Sequence, residues 1–300
     1  MPGLLEEFRF RAVDVDGVEI RAGVAGSGPP VLLLHGYPQT QVMWHAVAPL
    51  LASGHTVVTA DLRGYGDSAK PAAGADHAGY AKRAMAADQV GLMDRLGFDR
   101  FAVVGHDRGA RVAHRLCLDH PERVAAAALL DVVPTRYALA TVDRSMAEAY
   151  FHWFFMAQPA DLPERLIGGD PEFWLRSCLE RWSGPGAQFD ERAVAEYLRF
   201  FGDPAAIRAT CEDYRAAATV DQEHDVVSAG ELIRCPLLVL WGAHGFVGRQ
   251  YDVLRVWRRY ASDVRGSAVD GGHFVPEERP AETAAALRDF LADVSFDTLI

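Results

Sequence analysis

The stretch that most constrains the fold of this chain is Phe101 to Arg111, which reads FAVVGHDRGAR. Four apolar residues run directly into GHDRG (residues 105–109), and a helix-prone segment, Ala110 to Leu118, follows. This order predicts a strand, a sharp turn and a helix, with Asp107 at the tip of the turn as in a nucleophile elbow. The glycines on either side tolerate the strained φ angles and close backbone approach of such a turn. The central residue of an elbow is usually Ser, so Asp107 changes the chemistry to be expected.

Apolar runs elsewhere predict the other strands of a largely parallel sheet, because strands covered on both faces read as continuous hydrophobic segments. The predicted strands are Val31 to Leu34, Thr56 to Ala60, Arg123 to Leu130 and Pro236 to Trp241, with a short one at Ala268-Val269. The predicted helices are Met43 to Leu51, Tyr80 to Leu96 and Ala281 to Val294. Near the N-terminus, Asp16-Gly17 between two alternating segments predicts a hairpin with a type I′ turn. The alternation of strands and helices indicates an α/β fold.

From Arg136 to about Ile233, helical periodicity and aromatic residues replace this alternation. Asp170-Pro171 and Asp203-Pro204 each place a capping residue before a proline at the first helical position. We therefore predict a core formed by residues 1–136 and 233–300, with a helical cap of residues 137–232 packed over the C-terminal edge of the sheet. Ligands of open α/β sheets bind at that edge.

Composition excludes several classes of partner. The net charge of −11 argues against nucleic acid and anionic membranes, and an anionic substrate would have to be attracted by a local cluster of arginines. No apolar run approaches the ~20 residues of a membrane span, and the N-terminus lacks the pattern of a signal peptide, so we expect a cytoplasmic protein. The four cysteines are scattered without metal-binding spacing and are predicted to be idle thiols: Cys117, Cys178, Cys211 and Cys235.

Three other segments favour a catalytic elbow over an ordinary glycine-rich turn. HGYP (residues 35–38) ends an early strand, where its backbone N–H groups could face the elbow. Asp131 ends the strand after the elbow, and His273 lies in a loop before the terminal helix, so nucleophile, acid and histidine follow the chain order of an α/β-hydrolase triad. The segment after the strand at 236–241 offers no carboxylate until Asp252, which makes Asp131 the candidate acid. A turn residue before Pro134 would also fit the position of Asp131.

An Asp nucleophile selects a different reaction from that of Ser. A carboxylate displaces a group from saturated carbon and forms an alkyl ester, whereas Ser suits acyl transfer. Water activated by His273 as general base would then hydrolyse the ester of Asp107. The backbone N–H groups of Tyr37 and Arg108 would donate hydrogen bonds to the oxyanion that forms. Two reactions fit this scheme, the displacement of halide and the opening of an epoxide.

Five segments together resemble the fluoroacetate (haloacetate) dehalogenases of the α/β-hydrolase superfamily: HGYPQTQVMWH, GHDRGARV, FHWFFMAQPADLPERLIGGDP, CEDYRAAATVDQEHD and GGHFVPEE. The similarity runs from about Val31 to Leu291. It implies an α/β-hydrolase fold with a mostly parallel central sheet, flanking helices and a helical cap. In that family the positions of Asp107, His273 and Asp131 are nucleophile, base and acid partner. Several relatives have Phe at the position of Tyr37.

The resemblance also assigns the binding residues. It implies that Arg108 and Arg111 hold the substrate carboxylate, and that three cap residues donate hydrogen bonds to the departing halide, namely His152, Trp153 and Tyr214. The two arginines stand three apart, so they share one face of the elbow helix, and guanidinium groups can grip a carboxylate bidentately. Fluoride holds its hydration strongly and therefore needs several fixed donors to leave.

Three functions remain in competition. The leading hypothesis is hydrolytic dehalogenation of short 2-haloacids, converting fluoroacetate or chloroacetate to glycolate and halide. An epoxide hydrolase would use cap tyrosines such as Tyr214, but its substrate has no carboxylate for Arg108 and Arg111 to bind. A non-catalytic receptor on the same fold would have no need of His273. The leading hypothesis implies a small haloacid and water as substrates, no metal and no organic cofactor, and the resemblance implies a homodimer.

Overall fold

The computed structural model of the chain describes residues 4–296. The strands in this range are β1 (Arg9–Val15), β2 (Val18–Gly26), β3 (Pro30–Leu34), β4 (Thr56–Ala60), β5 (Phe101–His106), β6 (Val124–Leu130), β7 (Leu237–Gly242) and β8 (Val264–Val269). They form one sheet in the order β1-β2-β4-β3-β5-β6-β7-β8. β2 pairs antiparallel with β1 and β4, and all other neighbours run parallel. The predicted α/β class with a mostly parallel sheet is confirmed.

The central strands are buried along their whole length, as their continuous apolar runs predict. Every residue of β5 and β6 is buried. β8 lies at the edge of the sheet and is longer than the predicted Ala268-Val269, because Arg265, Gly266 and Ser267 also pair with β7. Local sequence does not favour a strand at these three residues, so the neighbouring strand determines their conformation.

The hairpin between β1 and β2 has the predicted turn. Val15 pairs with Val18, and Asp16 and Gly17 have φ angles of 50° and 87°. Positive φ at both central residues is the requirement of a type I′ turn.

The helices outside the segment between β6 and β7 are α1 (Ala48–Ala52), α2 (Lys82–Arg95), α3 (Arg108–Asp119), α12 (Phe246–Gln250), α13 (Val253–Trp257), α14 (Val275–Glu278) and α15 (Pro280–Leu291). The single helix predicted for Met43 to Leu51 is wrong: a 3₁₀ helix, Gln41–Trp44, precedes α1. Pro49 stands in the first turn of α1, and a proline is tolerated there but not inside a longer helix. The helix predicted from Tyr80 likewise begins later, at Lys82, after a 3₁₀ turn.

The helices between β6 and β7, here called the cap helices, are α4 (Thr135–Ala140), α5 (Arg144–Ala149), α6 (Phe151–Met156), α7 (Leu162–Gly169), α8 (Pro171–Trp182), α9 (Glu191–Phe201), α10 (Pro204–Ala218) and α11 (Val220–Val227). The carboxylates of Asp170 and Asp203 accept hydrogen bonds from backbone N–H groups in the first turns of α8 and α10. The division into a core and a cap at residues 137–232 stays a prediction.

The cap helices contact the loops that follow the parallel strands. The ring of Trp182, at the end of α8, lies 6.2 Å from that of Tyr37 and 5.8 Å from that of His273. Tyr37 follows β3 and His273 follows β8, so Trp182 lies over the C-terminal edge of the sheet. No helix within residues 4–296 is both long and apolar enough to cross a membrane.

Candidate active site

Asp107 stands at the turn between β5 and α3, with φ 45° and ψ −110°. Non-glycine residues rarely adopt this conformation, and the surroundings must stabilise it. A Cβ atom at Gly105 would lie 2.6 Å from Cα of Ala110, and one at Gly109 would lie 2.5 Å from the carbonyl oxygen of His35. Helix α3 can therefore pack this closely on β3 and β5 only because both positions are glycine. The predicted strand, sharp turn and helix are confirmed.

The carboxylate of Asp107 is buried and faces a backbone donor. Its Oδ2 accepts a hydrogen bond of 3.0 Å from the N–H of Tyr37. Arg108 is the first residue of α3, a position where the N–H has no acceptor within the helix. Burial by itself raises the pKa of Asp107, but the charges of His273, Arg111 and Arg108 together lower it to about 2. The group is therefore an ionised carboxylate at neutral pH.

Asp131 and His273 meet behind the elbow. Nδ1 of His273 lies 2.6 Å from Oδ2 of Asp131, and the N–H of Gly242 donates to the other carboxylate oxygen at 3.0 Å. Burial lowers the pKa of His273, but the hydrogen bond to Asp131 and its charge outweigh burial and raise the pKa above its usual value. The structure thus brings together the three residues that the chain order predicts for a triad.

Arg108 is held by a carboxylate that the sequence prediction did not include. Its Nε and Nη2 donate to the Asp213 carboxylate at 2.8 and 2.6 Å, and its guanidinium lies 4.3 Å from the ring centroid of Tyr214. Nη1 of Arg108 is buried and has no hydrogen-bonding partner among the described residues. One edge of the guanidinium is therefore fixed by the protein, and one nitrogen remains for a ligand.

Arg111 is fixed in a similar way. Its Nη1 donates to the carbonyl oxygen of Val133 at 3.1 Å and to the hydroxyl of Thr135 at 2.9 Å. The guanidinium lies 4.5 Å from the ring centroid of Trp153, a cation–π contact. Nε of Arg111 is buried without a partner within residues 4–296. Both predicted carboxylate-binding residues thus carry a buried nitrogen donor with no acceptor among the described residues.

The three predicted halide-binding residues are all buried in the cap helices. Nδ1 of His152 and the hydroxyl of Tyr214 lack partners in the part of the chain that the structure describes, and the two rings lie 5.6 Å apart. Burial lowers the pKa of His152 to about 3, and burial with the nearby charge of Asp107 raises that of Tyr214. Imidazole and phenol are therefore both neutral at pH 7. Trp153 is buried as well, with its ring against Arg111.

The hydroxyl of Tyr37 is turned to the cap. It accepts a hydrogen bond of 2.5 Å from Nε1 of Trp174 in α8, and the ring lies parallel to that of His152 at 6.4 Å. The backbone N–H of Tyr37 is at the same time bound to Asp107. The residue that departs from several relatives therefore contributes a contact between the loop after β3 and α8.

A sequence profile for the α/β-hydrolase fold matches residues 29–280. A fluoroacetate dehalogenase from Burkholderia sp. is 48% identical over 291 residues, covering 97% of this chain and 96% of that protein. The chain belongs to the haloacetate dehalogenase family of the α/β-hydrolase superfamily. As a member of this family, the protein is a hydrolase.

Other relatives of this family member are named for a different reaction. A soluble epoxide hydrolase from Corynebacterium sp. is 36% identical, covering 89% of this chain and 91% of that protein. A solved structure from Nostoc sp., provisionally described as an α/β-hydrolase, is 56% identical with a TM-score of 0.95, covering 96% of this chain and 99% of that one. A variant of a Pseudomonas aeruginosa protein, provisionally called an epoxide hydrolase, was solved with bound MFA; it is 47% identical with a TM-score of 0.91, and covers 97% of each chain.

The candidate site includes a buried charge network around Asp213. Besides Arg108, its carboxylate binds Nζ of Lys82 and accepts a hydrogen bond of 2.8 Å from the hydroxyl of Tyr65. Burial raises the pKa of Asp213, but Arg108 and Lys82 lower it well below its usual range. The signal in the sequence was the helical spacing of Ala206, Thr210 and Asp213, which places a carboxylate on the buried face of α10.

A cavity of about 420 Å³ leads from the surface to His273, passing Tyr150 and Trp182. Exposed basic residues stand at its mouth, namely Arg181, His244 and Arg249. His244 pairs there with Asp270 at 2.8 Å. The channel connects solvent with the side chain of His273.

The cysteines of this dehalogenase family member are free thiols; three are buried and Cys235 is half-buried. Among the described residues, no cluster of His, Cys, Asp or Glu side chains has an arrangement that could hold a metal ion.

Proposed function

We propose that the protein hydrolyses short 2-haloacids, such as fluoroacetate and chloroacetate, to the 2-hydroxyacid and halide through an ester on Asp107. The observation that carries the proposal is the pair of buried, unpartnered N–H groups on Arg108 and Arg111, whose charges also act on Asp107. A buried donor without an acceptor is unfavourable unless a ligand completes it. A substrate carboxylate would accept from both and offset its repulsion by Asp107.

In the first step, an oxygen of Asp107 attacks the carbon that bears the halogen. Oδ2 is bound to the N–H of Tyr37, which leaves Oδ1 as the attacking atom. The new C–O bond forms as the carbon–halogen bond breaks, and the halide leaves with the bonding electron pair. His152, Trp153 and Tyr214 receive the halide as fixed donors that replace part of its hydration.

In the second step, His273 takes a proton from water, and the resulting hydroxide attacks Cγ of Asp107. The oxyanion at Oδ2 is already at a hydrogen-bonding distance from the N–H of Tyr37, and the N–H of Arg108 is the second donor. The intermediate collapses as the Cγ–Oδ1 bond breaks, and Oδ1 leaves with the product and takes the proton from His273 to give the hydroxyacid. The regenerated Asp107 carboxyl, which now contains the oxygen of water, releases its remaining proton to solvent. The net reaction consumes haloacid and water and yields hydroxyacid, halide and a proton.

An epoxide hydrolase is the second candidate, and one observation favours it. The buried hydroxyl of Tyr214 has no partner in the described chain and could donate to an opening epoxide oxygen. An epoxide has no carboxylate, however, and would leave the free N–H groups of Arg108 and Arg111 without acceptors. A non-catalytic receptor would not require the 2.6 Å contact between His273 and Asp131.

The test is incubation of the purified protein with chloroacetate, fluoroacetate and styrene oxide, with halide and diol measured separately. We expect halide from the haloacids and little diol. Diol formation without halide release would establish the epoxide reaction instead. The comparison of the two haloacids shows whether the site cleaves the stronger carbon–fluorine bond.

We further propose that the protein is a cytoplasmic homodimer. Large apolar side chains of the cap are exposed, including Phe173 at 70%, Leu166 at 62% and Leu162 at 52%. Apolar groups clustered on one face are a common feature of self-association surfaces. Light scattering coupled to size exclusion should give twice the mass of 32.8 kDa. A monomer at micromolar concentration would contradict the dimer.

A further inference from the structure

Glu278, at the end of α14, binds the main chain on both sides of His273. Its Oε2 accepts a hydrogen bond of 2.8 Å from the N–H of Gly272, and its Oε1 accepts one of 2.9 Å from the N–H of Phe274. The side chain is buried, with 8% of the residue exposed. An ionised carboxylate forms stronger hydrogen bonds to N–H groups than a neutral acceptor does. Gly272 and Phe274, which flank His273, are therefore both hydrogen-bonded to the carboxylate of Glu278.

The same carboxylate binds the cap. Oε2 of Glu278 also accepts a hydrogen bond of 2.8 Å from the N–H of Gly184, which lies just after α8. The carbonyl oxygen of Trp182, in the same segment, accepts a hydrogen bond of 2.8 Å from the N–H of His273. Three successive N–H groups of the His273 loop thus have acceptors: Glu278 for Gly272 and Phe274, and Trp182 of the cap segment for His273.

The two segments approach too closely for side chains to intervene. A Cβ atom at Gly184 would lie 2.6 Å from the backbone nitrogen of Gly272. The His273 loop also contacts the elbow. The carbonyl oxygen of His273 accepts a hydrogen bond of 2.8 Å from Nε2 of His106, the residue before the nucleophile. The backbone of His273 is consequently fixed between the elbow and the cap.

We propose that Glu278 is a positioning residue of the hydrolytic half-reaction, which fixes the His273 loop against both Asp107 and the cap segment 182–184. The proposal rests on the ester mechanism proposed above. Glu278 is placed to act on the second step, because only that step needs the His273 ring to direct water at Cγ of Asp107. Displacement of halide depends instead on Asp107, the arginines and the halide donors, none of which Glu278 contacts.

Glu278→Gln is the direct test, because an amide NH₂ replaces one of the two accepting oxygens and cannot accept the N–H groups. A displacement of about 1 Å at a catalytic group can reduce a rate by roughly 100-fold. We therefore expect a kcat for chloroacetate that is lower by about 10- to 100-fold. The first turnover should still release halide in a burst, so kcat/KM should change little while kcat and KM fall together. The ester on Asp107 should accumulate and be visible as a mass increase of the intact protein.

Two matched variants and two reference proteins make the result interpretable. Glu282→Gln, on the exposed face of α15, should behave as the wild type. Glu277→Gln changes the neighbouring carboxylate, which binds Tyr197 of α9 but not the His273 loop, and should not accumulate ester. If Glu278→Gln does not fold by circular dichroism, Glu278→Asp keeps the charge but is too short to reach all three donors, and is measured in the same way.

The wild type and His273→Ala test the proposed function itself, through sustained halide release and through ester accumulation respectively. If either fails, the ester mechanism is wrong. If both succeed but Glu278→Gln shows wild-type kcat, or loses kcat and kcat/KM equally without accumulating ester, the positioning role of Glu278 is wrong and the ester mechanism stands.

Discussion

The orientation of Arg108 depends on a single buried carboxylate. Asp213 binds Nε and Nη2 of Arg108 and also receives Lys82 and Tyr65. Two cations share this one acceptor, and Nη1 of Arg108 has no partner among residues 4–296, which leaves it for a ligand. Residues outside direct contact with the proposed substrate therefore decide how its carboxylate would be held.

Asp213→Asn should impair substrate binding and stability together. The loss of the negative charge leaves Arg108 and Lys82 buried with a neutral partner, and breaking a buried ion pair in this way typically destabilises a protein by about 3–5 kcal/mol. We expect a KM for chloroacetate at least about tenfold higher, a loss of roughly 1.4 kcal/mol in binding. Steady-state kinetics and urea unfolding measure the two effects. The exposed Asp289→Asn is the control, and equal KM values for both variants would contradict this role of Asp213.

The pH dependence should follow His273. Asp107, with a pKa of about 2, is ionised throughout the working range, whereas His273 must be neutral to accept a proton. Because Asp131 raises the pKa of His273, kcat should rise with pH through a midpoint above the usual histidine value. Asp131→Asn should move that midpoint to lower pH and reduce maximal kcat by roughly 10³- to 10⁴-fold. An unchanged midpoint in a pH profile of kcat would show that another group controls the acid limb.

At the scale of elements, the site is a consequence of how α3 packs against the sheet. The helix starts at Arg108, directly after the strained Asp107, and its Gly109 N–H donates to the carbonyl oxygen of His35 at 2.9 Å. This contact joins the elbow to the loop whose Tyr37 N–H binds Asp107. Close packing of one helix on one strand therefore sets both the nucleophile and its oxyanion donor.

Gly109→Ala should disturb this packing. The added methyl group would lie 2.5 Å from the carbonyl oxygen of His35, and overpacking of this kind costs about 1–3 kcal/mol. Gly168→Ala in α7 is the matched control, since its nearest neighbour would be 3.8 Å away. Alanine is the better helix former, so we expect the control to be neutral or more stable by up to about 1 kcal/mol. Thermal melts compare the two, and equal melting temperatures would contradict the packing argument.

At the scale of the whole molecule, the net charge opposes the proposed anionic substrate, and exposed arginines at the channel mouth act against that charge. The chain carries a net charge of −11, yet Arg181 and Arg249 stand exposed at the mouth of the channel that reaches His273. No carboxylate of the described residues forms an ion pair with either arginine. A small local positive field at the mouth can raise the concentration of an anion there in spite of the net charge.

Replacing both arginines should weaken capture without changing the chemistry. For the double variant Arg181→Gln/Arg249→Gln we expect a KM for chloroacetate that is higher by roughly two- to fivefold, with kcat unchanged, because exposed charges contribute little each. Arg288→Gln removes an exposed arginine of α15 that does not line the channel, and serves as control. Assays at low and high ionic strength should show a smaller difference between variant and wild type at high salt. A lower kcat would place these arginines in the chemistry instead.

Helix boundaries show where local sequence was insufficient. Continuous apolar runs were enough to identify β3, β5 and β6, because a strand buried on both faces is apolar at successive positions. The single helix predicted from Met43 is instead a 3₁₀ helix followed by α1, whose first turn contains Pro49. The strand predicted at Ala268-Val269 is longer, because pairing with β7 extends it to Val264. Local preference decides the centre of an element, and its neighbours in space decide where it stops.

The elbow at Asp107 is the part of the candidate site that the local sequence determines. Gly105, Asp107 and Gly109 are close in the chain, so the strained turn and its candidate nucleophile could be predicted without a structure. The order of Asp131 and His273 along the chain also allowed both residues to be predicted as parts of a triad. Only the tertiary structure revealed Asp213 and Glu278, because each acts on a residue distant in sequence, Asp213 on Arg108 and Glu278 on the cap segment at Gly184. A carboxylate's partners depend on which chain segments meet around it, and that is decided when the sheet, the loops and the cap helices pack together.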